Sequence, residues 1–167
     1  FLALMDVPKE DSKEVISLLK RMKIDVTMVT GDTASTAKAI ADQTGITSVI
    51  AGVLPRGKSE EITRLRAQGR VVAMAGDGIN DAPALAAADI GIAMGERGTR
   101  SAREVAAMVL LDDNFRSIVR AIAEGRQLFT NLQLSFQYLL MIHIPLVLTA
   151  GLIPLAGYPL LYLPVHV

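Results

Sequence analysis

Val71-Val72-Ala73-Met74-Ala75-Gly76-Asp77-Gly78-Ile79-Asn80-Asp81-Ala82-Pro83-Ala84-Leu85 is the stretch whose reading decides the fold. An apolar run ends in a carboxylate held between two glycines. A second carboxylate follows four residues later, and an Ala/Leu segment with Pro83 in its first turn then opens a helix. Strand, tight turn and helix start put Asp77 at the carboxyl end of a buried strand, where open α/β sheets carry their chemistry. Gly76 and Gly78 permit the sharp turn and leave room beside the carboxylate. Asp77 and Asp81 together suit a hard cation such as Mg2+, which takes few protein carboxylates and keeps water or phosphate in its other positions. Two simpler explanations compete. The string begins like a dinucleotide fingerprint, but Asp81 stands where the third glycine is needed. Asn80 or Asp81 alone reads as a helix cap, yet capping requires neither flanking glycines nor a preceding acid.

A second unit repeats the pattern. Ile24 to Val29 alternates like a strand and runs into Thr30-Gly31-Asp32, and the segment Thr33 to Thr44 reads as a helix closed by Gly45. Thr30 offers a hydroxyl and Gly31 an unencumbered N–H at a helix start, a ready anion site. Between the two units, Leu54-Pro55-Arg56-Gly57-Lys58-Ser59 reads as a loop carrying a lysine ahead of a helix from Ser59 to Ala67. Most lysines are solvated surface charges. Lys58 lies in sequence between two strand-end polar turns, which favours the same crevice. A threonine hydroxyl, a lysine and a carboxylate pair make a site for a phosphoryl group and its Mg2+.

These residues resemble the P-type cation-transporting ATPases of the haloacid dehalogenase superfamily. Met28 to Asp32, Pro55 to Lys58, and Gly76 to Leu85 match three family motifs in order, and Asp6-Val7-Pro8 looks like a fourth with its first proline replaced. Leu111 to Phe115 and Glu124-Gly125-Arg126 resemble the segment leading to the family's fifth transmembrane helix. The resemblance implies Asp77 as a Mg2+ ligand with Asp81 as its supporting carboxylate. It also implies Thr30 and Gly31 on phosphate oxygens, with Asp32 of the same motif among the catalytic residues. Lys58 would neutralise the phosphoryl charge, and Asn80 would help hold the phosphorylation loop. ATP is the implied substrate. The implied partners are a transported cation, the bilayer, and the rest of the same pump, including its nucleotide-binding and actuator domains. The family's acceptor aspartate belongs to an Asp-Lys-Thr-Gly-Thr motif that does not occur here, so the acceptor is expected upstream of Phe1 and the isolated chain is expected to be inactive. Arg100 stands where many relatives carry an acid.

Composition agrees with a two-part chain. The 17 basic and 17 acidic residues balance, which gives no electrostatic case for nucleic acid. All of them lie between Asp6 and Arg126, and Asn131 to Val167 contains no Asp, Glu, Lys or Arg. That run exceeds the roughly 20 apolar residues that cross a bilayer. Four of the seven prolines fall within it (Pro145, Pro154, Pro159, Pro164), so a single helix through all of it is not expected. Arg116, Arg120 and Arg126 on its amino side place residues 1–126 in the cytoplasm of a multi-pass membrane protein. Without cysteine there is no disulfide or thiolate metal site in this portion.

The expected fold is α/β: a Rossmann-like parallel sheet of the haloacid dehalogenase type, then a long helix entering a transmembrane segment. The expected divisions are a phosphorylation domain over 1–115, a stalk helix over 116–133 and a membrane helix over 134–153. Residues 154–167 then form a loop and the start of another span. Within the span, His143 lies two residues before Pro145, whose missing N–H leaves the Met141 carbonyl unpaired. Met141 and His143 are therefore candidates for an ion path. The leading function is part of an ATP-driven cation pump that works through an aspartyl-phosphate. The alternatives are a free-standing phosphatase of the superfamily, against which the uncharged tail argues, and a regulatory fragment binding Mg2+ or a partner pump.

Overall fold

The structure, a computed structural model, describes residues 11–159. Asp6-Val7-Pro8 and the expected further span lie outside the described residues. Two compact units divide the chain near Arg120.

In the first unit the order is α1 (Ser12–Arg21), β1 (Thr27–Val29), α2 (Ala34–Thr44), β2 (Ser48–Ile50), α3 (Pro55–Ala67) and β3 (Ala73–Gly76). A 3-10 turn at Ile79–Asp81 leads into α4 (Ala82–Ala87), β4 (Ile90–Met94), α5 (Arg100–Val105), β5 (Met108–Leu110) and the start of α6 (Phe115–Leu155). All strand pairs are parallel, as the alternation of strands and helices requires. The strands form two hydrogen-bonded ladders, β1-β2 and β3-β4-β5.

β4 is the structural centre. Its alternate residues serve two faces: Ala93 packs with Leu85 and Ala102, while Ile92 and Met94 pack with Leu110, Phe115 and Ile118. Small side chains make this possible. A Cβ on Gly91 would lie 2.6 Å from the Leu85 carbonyl oxygen, so only glycine lets α4 approach β4 this closely. Asp89 ties the layer together at its lower edge. Its carboxylate accepts the Val72 N–H at 2.9 Å and pairs with Arg66 at 2.9 Å.

One local expectation is corrected. α3 begins at Pro55 rather than Ser59, so Lys58 sits within its first turn and not in a loop. Proline is favoured at the first helical position, where its fixed φ fits and its missing N–H costs nothing.

In the second unit α6 runs on to Leu155 with Pro145 and Pro154 inside it, and Gly157 follows at φ +82. It is the one helix among the described residues long and apolar enough to cross a membrane. Its uncharged part, Asn131 to Leu155, rises roughly 37 Å at 1.5 Å per residue, more than the ~30 Å hydrocarbon core. Past Pro145, the Thr149 hydroxyl reaches the Pro145 and Leu146 carbonyls at 2.8 and 3.0 Å.

Candidate phosphoryl and metal site

The turn after β3 is built around Asp81. Asp81 as a whole residue is 8% exposed; its Oδ1 lies 2.8 Å from Lys58 Nζ, and Oδ2 accepts the Gly78 N–H at 3.2 Å. Asp81 is therefore no simple cap of α4, where it makes no side-chain capping bond. It braces the turn from inside and holds Lys58 from α3. Gly76 is glycine for the same reason, since a Cβ there would meet Asp81 Cβ at 2.7 Å.

Asp77 differs in kind. Its side chain is exposed and makes no hydrogen bond or ion pair among the described residues, while its carbonyl accepts the Thr99 N–H at 2.9 Å. An unpaired carboxylate four residues before a buried, lysine-held one supplies two oxygen donors. No group of three or more His, Cys, Asp or Glu among the described residues could hold a metal. A two-carboxylate set fits Mg2+, which keeps several waters or substrate oxygens, and fits Zn2+ poorly, which prefers four tetrahedral N or S ligands.

The Thr30 turn is packed separately. The Thr30 hydroxyl donates to Asp32 Oδ2 at 2.9 Å and accepts the Asp32 N–H at 3.1 Å. Its carbonyl accepts the Val53 N–H at 3.0 Å, just before α3 begins. Thus Thr30, Gly31 and Asp32 adjoin the chain leading to Lys58, and Lys58 joins Asp81. Among the described residues no hydrogen bond runs from the Thr30 turn to the Asp77 turn. The Gly31 N–H has no partner among those residues, whereas the hydroxyl proton of Thr30 is committed to Asp32. Asn80 is exposed on the 3-10 turn. In the second unit, His143 Nδ1 lies 2.8 Å from the Leu139 carbonyl, one turn back on its own helix.

Two features escaped the sequence reading. Thr99, which caps α5, also holds the Asp77 carbonyl. Asp113 is 4% exposed and accepts the N–H groups of Glu96 and Arg97. Arg100 pairs with Glu104 at 2.8 Å on an exposed face, so its charge is balanced within α5.

The haloacid dehalogenase-like hydrolase family matches residues 1–89, and a second family of the same description matches residues 59–122. A probable copper-exporting P-type ATPase of Mycobacterium tuberculosis is 48% identical over 82% of this chain and 18% of its own length. A calcium-transporting ATPase of Bacillus cereus is 36% identical over 99% of this chain and 22% of its own. The solved structure of a zinc-transporting PIB-type ATPase in its E2.Pi state superposes with a TM-score of 0.83 at 36% identity, over 95% of this chain and 25% of that one. The chain thus spans about a fifth of the length of these curated relatives. On its sequence and on the superposition of its strands and long helix, the chain belongs to the haloacid dehalogenase-like hydrolases, and its likeness among them is to the P-type ATPases.

Proposed function

We propose that this chain supplies the Mg2+- and phosphate-handling half of the catalytic site of an ATP-driven cation pump, together with one of its membrane helices. The single observation carrying this reading is the exposed, unpaired Asp77 beside the Lys58–Asp81 pair at 2.8 Å. In this reading Asp77 binds Mg2+ directly, and Asp81 fixes both the metal turn and the lysine. Bound Mg2+ would neutralise charge on the transferring phosphoryl group. Lys58 is held by Asp81 at the edge of the same turn, where its ammonium can reach a phosphoryl oxygen. The unpaired Gly31 N–H offers a donor for another oxygen. The Thr30 hydroxyl can donate to phosphate only by releasing Asp32, so Asp32 sets when that donor is free. Asn80 is exposed on the turn, free to reach a neighbouring loop. The acceptor aspartate would come from a segment outside this chain.

The relatives are named for three cations, copper, calcium and zinc, and the proposal therefore commits to a cation pump and not to one ion. The uncharged part of α6 supports residence in a bilayer and counts against a free-standing phosphatase. His143 and the Met141 carbonyl are proposed to border the cation path.

The test is phosphoenzyme formation in the complete pump. Asp77→Asn should lower it at least about 10²-fold, the scale of losing one preorganised electrostatic group. Lys58→Ala should slow it, and Lys13→Ala, on the exposed side of α1, should not. Near-normal phosphorylation in Asp77→Asn refutes the role given to Asp77.

A further inference from the structure

We propose that Asp113 is a positioning residue for the Asp77 turn, acting through the loop over residues 95–99. This rests on the reading of Asp77 as a Mg2+ ligand.

The loop leaves β4 and is pinned at both ends. At its start, the Gly95 N–H donates to the Leu110 carbonyl at 2.8 Å, and a Cβ on Gly95 would lie 2.7 Å from that oxygen. At its end, the Thr99 N–H donates to the Asp77 carbonyl at 2.9 Å. Between them Gly98 is folded so tightly over β4 that a Cβ would meet the Met94 carbonyl oxygen at 1.8 Å. The middle is held by one side chain. Asp113 Oδ1 accepts the Glu96 N–H at 3.1 Å and Oδ2 the Arg97 N–H at 2.8 Å. Both oxygens are used, one for each successive amide, and charge-assisted bonds of this kind are the stronger ones.

Asp113 also adopts a left-handed backbone at φ +48, a conformation that Asp and Asn tolerate better than most residues. The burial, the fork of two amides and the unusual backbone coincide at one residue. They set the loop whose last N–H holds the backbone of Asp77. A shift in that loop moves Asp77 relative to Asp81, and Mg2+ tolerates little departure from octahedral geometry. The effect belongs in metal affinity more than in the maximal rate.

Asparagine keeps the shape and the left-handed preference but offers one acceptor oxygen in place of two. In the complete pump, Asp113→Asn should weaken Mn2+ binding, followed by electron paramagnetic resonance as a stand-in for Mg2+, by about tenfold, the scale of losing a group that orients a metal ligand. The Mg2+ needed for half-maximal phosphoenzyme should rise in parallel, while the level at saturating Mg2+ stays near that of the wild type. Asp113→Ala should shift both further. If the alanine variant does not fold, the asparagine variant decides alone. Mn2+ affinity unchanged in a folded Asp113→Asn protein overturns the positioning role. So does a lower saturated phosphoenzyme level with unchanged Mg2+ dependence. Asp77→Asn run alongside separates the two readings: wild-type Mn2+ affinity in that variant overturns the metal assignment itself.

Discussion

Lys58 and Asp81 meet at 2.8 Å with side chains only 19% and 11% exposed, joining the first turn of α3 to the turn after β3. Removing either partner leaves the other charge partly desolvated. Lys58→Ala should destabilise the first unit by about 1–3 kcal/mol, the cost of an unsatisfied buried group. The double variant Lys58→Ala/Asp81→Asn should lose less than the sum of the two single variants. Thermal melting of all four proteins completes the cycle, and strict additivity would show that the pair is not coupled.

Gly76 and Gly125 make a controlled contrast. A Cβ on Gly76 would press on Asp81 at 2.7 Å, whereas one on Gly125 meets nothing within 4 Å. Gly76→Ala should lower both the melting temperature and phosphoenzyme formation, because Asp81 is pushed away from Lys58. Gly125→Ala, in the interior of α6, should stabilise by up to about 1 kcal/mol through helix propensity. Equal effects of the two on stability would contradict the crowding seen at Gly76.

Leu85 is 1% exposed in the cluster with Ala93 and Ala102. Leu85→Ala should cost about 2–5 kcal/mol, since its neighbours are already small and cannot collapse to fill the void. Denaturant unfolding measures this directly.

Asp89 gives a pH signature. The Val72 N–H, with the Arg66 guanidinium adding to it, holds its carboxyl below the usual carboxylate range. A carboxyl lowered in the folded state stabilises at pH values above its unfolded pKa, roughly 3.9, and that contribution disappears as pH falls through the folded value. The gap in melting temperature between wild type and Asp89→Asn should therefore be largest near neutrality. It should narrow only in acid. A gap that grew as pH fell would contradict the assignment.

Much of this was legible in the sequence, for identifiable reasons. Asp77 reads as a strand-end carboxylate because the apolar run before it and the glycines around it leave little else to infer. The start of α3 was misplaced because Pro55 and Gly57 look like loop residues, although proline at a first helical position is a start signal. The bracing of Asp113 against Glu96 and Arg97 was invisible. It links residues 16 and 17 positions apart through backbone amides, which leave no trace in side-chain pattern. The pairing of Lys58 with Asp81 spans 23 positions; the sequence suggested a shared crevice but not a direct bond.

His143 and Pro145 carry the final prediction. Pro145 has no N–H to donate, so the Met141 carbonyl loses its helical partner although α6 continues past it. In a bilayer such a carbonyl needs another partner, and lining an ion cavity supplies one. With Nδ1 at 2.8 Å from the Leu139 carbonyl, Nδ1 must be the donor in that bond, and Nε2 is the ring nitrogen that makes no bond among the described residues. Transport into vesicles by the complete pump is the measurement, with His143→Gln set against Leu139→Ala, which alters the neighbouring turn but keeps its backbone carbonyl. If His143 borders the path, His143→Gln should change cation affinity and the pH dependence of transport, and Leu139→Ala should change neither. Unaltered affinity and pH profile in His143→Gln would leave the imidazole a packing role, bonded to its own helix.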